Sequence, residues 1–214
     1  MTKKINFNRF RKKYLNKIPK KNGIRVILIA ESPPAQNRDL PKFFYYDKDD
    51  LQKEEIVSLF GRVMTGLYPV EWKRYSWTGK SVGNNKRKML KRFSRDGFYL
   101  MDATDESLQD EENSEKRKKL RAVNKSGKLT KKLTSLAKRR YLRQNTEIYI
   151  VSCMVYDIFF DSLVKVHISM KDGDIDLSKM LSNLKTSLPF GPNNDNVVRF
   201  MSLMEYLRKR FRTS

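Results

Sequence analysis

The stretch Ile24-Arg25-Val26-Ile27-Leu28-Ile29-Ala30-Glu31-Ser32-Pro33-Pro34 decides the fold class. An apolar run rich in β-formers ends abruptly in a carboxylate, a hydroxyl and two prolines. Such a run reads as a central strand buried on both faces. Burial on both faces requires helical cover on each side, which predicts an α/β sandwich. Pro33 and Pro34 cannot donate to a ladder, so the strand stops at about Ser32. Glu31 and Ser32 then stand at the carboxyl end of a core strand, where open α/β sheets bind ligands.

Upstream of this strand, Phe7, Phe10, Tyr14, Leu15 and Ile18 recur at helical spacing among basic residues. They predict an amphipathic helix over about 6–18, ended by Pro19 and Gly23. Downstream, Lys42-Phe43-Phe44-Tyr45-Tyr46 reads as an aromatic loop leading to Asp49 and Asp50, either of which suits a helix N-cap. Ile56, Leu59, Phe60, Val63 and Leu67 follow the i, i+3, i+4 series of a buried helix face. Residues 69–81, with Pro69, Trp72, Tyr75, Trp77 and Gly79, lack a period and read as an aromatic loop. A basic helix is expected over 84–95, with Met89, Leu90 and Phe93 inward and Gly97 as its stop. Residues 98–101 make a short second strand ending at Asp102.

The charged stretch 104–127 reads as a loop or an exposed helix. Leu129, Leu133, Leu136 and Tyr141 mark the next helix, 148–151 the third strand, and 154–164 an apolar helix. A weak strand near 166–169 is the candidate fourth. A final helix over 195–211 buries Val197, Phe200, Met201, Met204, Leu207 and Phe211. Strands alternating with helices imply a three-layer α/β/α sandwich around a small, mainly parallel sheet of about four strands. No repeat or Pro/Ser-rich linker divides the chain, so residues 1–214 read as one domain.

Lysine and arginine total 46 against 24 acids among 214 residues, giving a formal net charge of +22. That self-repulsion points to a partner of dense negative charge, and nucleic acid, DNA ahead of RNA, is the expected partner. The charge is also segregated. Residues 1–25 carry ten Lys and Arg and no acid, and residues 116–143 carry thirteen and no acid. Between them lie Asp102, Asp105, Glu106, Asp110, Glu111, Glu112 and Glu115. Neither basic segment pairs its charge with a broad apolar face, so a membrane is not the expected partner. The start of the chain lacks the apolar core of a secretory signal, and no segment has the length of a membrane span. A cytoplasmic, nucleic-acid-associated protein is expected.

Cys153 is the only cysteine, which excludes a disulfide framework, a four-cysteine zinc site and a four-cysteine iron–sulfur cluster. His167 is the only histidine and reads as structural or exposed. No His, Cys and carboxylate spacing suits a metal; no metal or cofactor is expected.

Three segments are candidates to converge at the carboxyl edge of the sheet: Glu31-Ser32-Pro33-Pro34, Asp102-Ala103-Thr104-Asp105, and Pro189-Phe190-Gly191-Pro192-Asn193-Asn194. Their order and content resemble the uracil-DNA glycosylase superfamily over about residues 24–211. Ala30-Glu31-Ser32-Pro33-Pro34 resembles that family's first motif, after strand one. Phe43 and Phe44 fall in the interval of its base-stacking aromatic. Tyr99-Leu100-Met101-Asp102 stands where a strand ends in its base-reading asparagine, and Leu188-Pro189-Phe190 looks like its last motif. The resemblance implies a uracil-DNA-glycosylase-like fold. It also implies DNA repair by hydrolysis of the N-glycosidic bond of a damaged or deaminated base. Glu31 and Asp102 would be the catalytic residues, and Ser32, Phe43, Phe44 and Asn193 would bind the base.

Departures from the pattern carry chemical consequences. Asp102 stands in the asparagine's place, and a carboxylate only accepts where an amide also donates. It therefore favours a base edge made of donors, such as guanine N1–H with its amino group. Leu188 stands in place of the histidine that stabilises the leaving base, and it cannot do that electrostatic work. Two other readings remain open: a DNA- or RNA-binding protein of the same fold without turnover, and a small-molecule or nucleotide enzyme using the strand-end cleft.

Basic side chains supply the nucleic-acid contacts on either binding reading. Lys86, Arg87, Lys91 and Arg92 lie on one predicted helix, and Lys138, Arg139 and Arg140 on another. Trp72, Tyr75 and Trp77 interleave with Lys73, Arg74 and Lys80, a pattern suited to unstacked bases. Each candidate also has a structural role open to it. Glu31 suits a cap or ion pair, Asp102 an Asx-turn, Phe43 and Phe44 the core, and Asn193 a turn before the last helix.

Overall fold

The computed structural model describes residues 6–34, 43–47, 59–143, 145–152, 154–159 and 195–211, with the side chains of the last helix from residue 200 onward. The candidate fourth strand, Cys153, His167 and the segment 188–194 lie outside the described residues. The protein is mixed α/β, and its chain alternates between two compact units. The first comprises Met1–Lys17, Pro34–Asp96 and Asn194–Ser214, and the second Ile18–Pro33 and Gly97–Asn193.

The second unit holds the sheet. Strands β1 (Val26–Ala30), β2 (Phe98–Asp102) and β3 (Glu147–Ile150) are all parallel, in the order β2-β1-β3. The strand read from the opening stretch is thus central, and all five of its residues are buried. Each large aliphatic side chain enclosed in this way contributes roughly 1.5–3 kcal/mol. The register pairs Val26 with Phe98 and Glu147, and Ala30 with Asp102.

Helix α5 (Asn113–Lys125) and helix α6 (Lys128–Lys138) make the crossover from β2 to β3. Leu120 is the sole buried residue of α5, so 113–125 is the exposed helix among the two forms expected for that stretch. Asn124 ties it inward by donating to the Ile158 carbonyl at 2.7 Å. Helix α6 buries Leu129, Leu133, Leu136 and Ala137. Tyr141, expected on that face, lies beyond the helix end. Residues 154–159 are helical.

The first unit is helical. Helix α1 (Phe7–Leu15) starts where the Asn6 side chain accepts from Arg9 N at 3.2 Å, shorter at both ends than its periodicity suggests. Helix α2 (Leu59–Leu67) packs on helix α7 (Asp195–Phe211) so closely that a Cβ on Gly66 would lie 2.4 Å from the Met204 Cβ. Helix α3 (Pro69–Arg74) occupies part of the expected aromatic loop. Its Pro at N1 and Glu71 in the first turn are good starters. It buries no residue completely, so it leaves no hydrophobic period in the sequence. Helix α4 (Ser81–Arg95) begins three residues before its expected start, and Gly97 follows it at φ +83°.

The segment 43–47 is packed inward rather than left as an open loop. Phe43 meets Phe7 in a tilted contact with ring centroids 4.5 Å apart, and Phe44 meets Tyr45, Phe60 and Phe93 in edge-on or tilted contacts at 4.9–5.6 Å. Asp47, 3% exposed, accepts from the Tyr14 hydroxyl at 2.5 Å and pairs with Lys13 at 2.5 Å and Arg87 at 3.6 Å. Burial, then the hydrogen bond to the Asp47 carboxylate and its charge, push the Tyr14 hydroxyl far above the usual tyrosine range. Among the described residues, no helix is long and apolar enough to cross a membrane.

Candidate functional site

Parallel strands end together, so their carboxyl edge gathers residues distant in sequence. The Ala30 carbonyl accepts from Ala103 N at 2.8 Å as the last bond of the β1–β2 ladder, and the Glu31 carbonyl, in the bend that follows, accepts from Thr104 N at 3.3 Å. Glu31, Ser32, Asp102 and Thr104 are therefore neighbours at one edge. Ser32 Oγ accepts from Leu108 N at 3.2 Å, pinning the loop after β2 to the end of β1. Thr104 Oγ1 accepts from Glu106 N at 3.2 Å and closes the start of that loop.

Glu31 is half-buried, and its Oε2 accepts from Ser152 Oγ at 3.4 Å. Ser152 lies two residues past the end of β3, level with Glu31 by the register of Ile29 with Ile150. Asp102 is 4% exposed and lies opposite Ala30. Paired residues of a sheet share a face, and successive residues alternate. Asp102 thus belongs to the face of Ala30, whereas Glu31 stands in the bend just past β1 and turns its carboxylate to Ser152.

Lys132, on α6, spans the edge. Its Nζ donates to the Asp102 carbonyl at 3.2 Å and pairs with Asp105 at 2.9 Å. Ser152 is absent from the sequence-based candidates, and Lys132 counts there only as one cation of the second basic helix, without a strand-end role. Lys132 is hidden within a long basic run, but Ser152 follows from applying the strand-end rule to the third strand as well as the first two.

The remaining candidates belong to other elements. Phe43 and Phe44 are buried in the aromatic core of the first unit, their rings enclosed by Phe7, Tyr45, Phe60 and Phe93. Asn193 lies outside the described residues. On α4, Lys86 corrects the expectation of a surface cation. It is 0% exposed, its Nζ donating to the Phe43 carbonyl at 3.1 Å and lying 4.9 Å from the Phe60 ring centroid. It faces inward because it shares the helix stripe of Met89, Leu90 and Phe93.

Arg87 is engaged by Asp47, and Arg92 by Glu71 and Asp96 as well as the Tyr68 ring. Lys91 is exposed, as are Lys138, Arg139 and Arg140. Trp72 and Trp77 stack on each other at 4.2 Å, with Trp77 Nε1 donating to the Trp72 carbonyl at 3.0 Å. The Lys88 ammonium sits 5.7 Å from the Tyr75 ring.

Chemically, the strand-end site offers a half-buried carboxylate with a hydroxyl donor, a second and more deeply buried acid, and a nearby ammonium group. Comparison with protein-family models, with curated proteins and with solved structures finds no match for the chain.

Proposed function

We propose that this protein binds nucleic acid, DNA ahead of RNA, through a uracil-DNA-glycosylase-like α/β/α fold. The observation that carries this reading is the unneutralised charge. The chain has a net charge of +22, and its exposed Lys138, Arg139 and Arg140 sit in a stretch without acids. Exposed cations of this kind release counterions from a polyphosphate, so affinity falls steeply with salt. Anisotropy of labelled single- and double-stranded DNA and RNA, titrated from low to high salt, tests it. A steep decline of affinity with salt is expected. Weak binding indifferent to salt refutes it.

The strand-end site favours a second, catalytic step, hydrolysis of an N-glycosidic bond. Glu31 would orient water and take its proton as the oxygen bonds to C1′. The C1′–N bond would break with its electron pair leaving on the base, which is then protonated. Asp102 would accept from the donor edge of the extruded base. The hydroxyl donor that meets Glu31 and the deeper burial of Asp102 support these distinct roles. Oligonucleotides containing uracil, hypoxanthine, xanthine or mismatches, followed by alkaline cleavage of abasic sites, provide the assay. Scission on one substrate is expected, and none on any substrate rejects the catalytic step while leaving binding intact.

A further inference from the structure

Two acid-free stretches meet at the opposite end of the second unit from the carboxylates. Residues 18–25 and 128–146 contain no Asp or Glu, and a set of short hydrogen bonds fastens them together. Ile24 N donates to the Tyr141 carbonyl at 2.7 Å, and the Arg143 guanidinium to the Lys20 carbonyl at 2.5 Å. Thr146 Oγ1 donates to the Ile24 carbonyl at 2.6 Å and accepts from Arg143 N at 2.8 Å. Gly23, at φ +62°, lets the turn close: a Cβ there would lie 2.8 Å from both Arg143 Cγ and the Tyr141 carbonyl oxygen.

These contacts immediately precede β1 and β3, and Arg25 lies against Gly97 at the start of β2. The cluster therefore occupies the amino-terminal pole of the parallel sheet. Lys20, Lys21, Lys138, Arg139 and Arg140 are all exposed there. Five strand residues at about 3.3 Å each put this pole roughly 16 Å from the carboxyl edge.

Arg140 adds an independent sign. Its N donates to the Ala137 carbonyl at 2.8 Å and Tyr141 N to the Leu136 carbonyl at 3.0 Å, the Schellman pattern that ends α6. The residue in its place adopts the left-handed conformation and is ordinarily glycine or asparagine. Arg140 sits there at φ +59° and is the only non-glycine with positive φ among the described residues. An L side chain held in a conformation that disfavours it, on the surface of this acid-free cluster, supports a functional reading of the position.

Resting on the nucleic-acid reading above, we propose that Lys20, Lys21, Lys138, Arg139 and Arg140 form a phosphodiester-backbone clamp at the amino-terminal pole of the sheet. It is distinct from the strand-end carboxylates. The clamp grips phosphates rather than bases, so its contribution is independent of sequence.

The test uses the full chain and a labelled DNA duplex, titrated with salt. Arg139→Ala/Arg140→Ala is expected to weaken binding about tenfold or more and to lower the slope of log affinity against log salt by about 2. Lys118→Ala/Lys125→Ala on α5 removes equal charge elsewhere and is expected to change the slope by less than half as much. Arg140→Gly separates clamp from scaffold. It relieves the left-handed strain and raises the melting temperature by about 2 °C, while binding weakens. Wild-type binding with a steep salt slope, but undiminished in both pole variants, overturns the clamp and spares the nucleic-acid reading. Absence of salt-dependent wild-type binding overturns that reading itself. Capture by phosphatidylserine vesicles without binding to duplex reassigns the pole to a lipid surface and overturns the clamp as proposed.

Discussion

Replacing Tyr14 by phenylalanine removes a single buried hydroxyl and gives a pH-resolved test of the first unit. Tyr14 is 0% exposed, and its hydroxyl meets Asp47 Oδ2 at 2.5 Å. A hydrogen bond to a charged group contributes about 1.5–3 kcal/mol, so Tyr14→Phe should cost about 2 kcal/mol near neutral pH. Asp47 keeps Lys13 and Arg87 in the variant, which holds the loss below that of stranding a bare carboxylate.

The folded protein holds Tyr14 protonated well above the ordinary tyrosine value of 10.0, whereas the unfolded chain releases the proton near that value. Above it the unfolded state binds one proton fewer, so stability falls as pH rises, by up to about 1.4 kcal/mol per unit. The Tyr14→Phe variant has no such proton to lose. The wild-type advantage is thus full below about pH 9 and shrinks by about 1.4 kcal/mol at about pH 11. Urea unfolding of both proteins from about pH 7 to 11 at constant ionic strength reads this difference. Lysine titration common to both cancels. A gap that stays constant or widens above about pH 10 refutes the buried, protonated Tyr14–Asp47 contact.

Gly66→Ala drives a methyl group into the Met204 Cβ; despite better helix propensity it should destabilise the protein by about 1–3 kcal/mol, seen as a lower urea midpoint. Lys86→Met should shift the melting temperature yet leave nucleic-acid affinity within about twofold, because an ammonium without solvent exposure contributes no phosphate contact. If base excision is detected, Glu31→Gln should lower turnover at least about 100-fold with affinity retained, since general acid–base groups supply about that much. Asp102→Asn, which introduces a donor, should instead change which base is released; equal rates on every substrate in both proteins would count against its base-reading role.

The sheet is legible because buried parallel strands leave continuous apolar runs. The stretches around Ile27, Leu100 and Ile148 do so, and all three fall within observed strands. The surroundings of the strand-end acids are harder to see. Ser152 reaches Glu31 only because β3 lies beside β1, a neighbour relation that the linear order does not state. Helix α3 escapes periodicity because it is too short to bury a face. Lys86 escapes because a basic residue within a basic run looks solvated, and only its spacing from Met89, Leu90 and Phe93 betrays an inward position. Arg140 escapes for the opposite reason: its backbone conformation, invisible in composition, is what separates it from its cationic neighbours.

The chain passes four times between the two compact units, and this threading dictates how the molecule can be assembled. Helix α2 rests on α7 through Gly66 and Met204, so that face of α2 stays uncovered until α7 has been synthesised. By then β2 and β3 have emerged and can flank β1. A nascent chain arrested before residue 195 would therefore carry β1, β2 and β3 together with an uncovered face on α2. Chaperone capture at that stage, rather than truncation into separable halves, is the natural handle on its biogenesis.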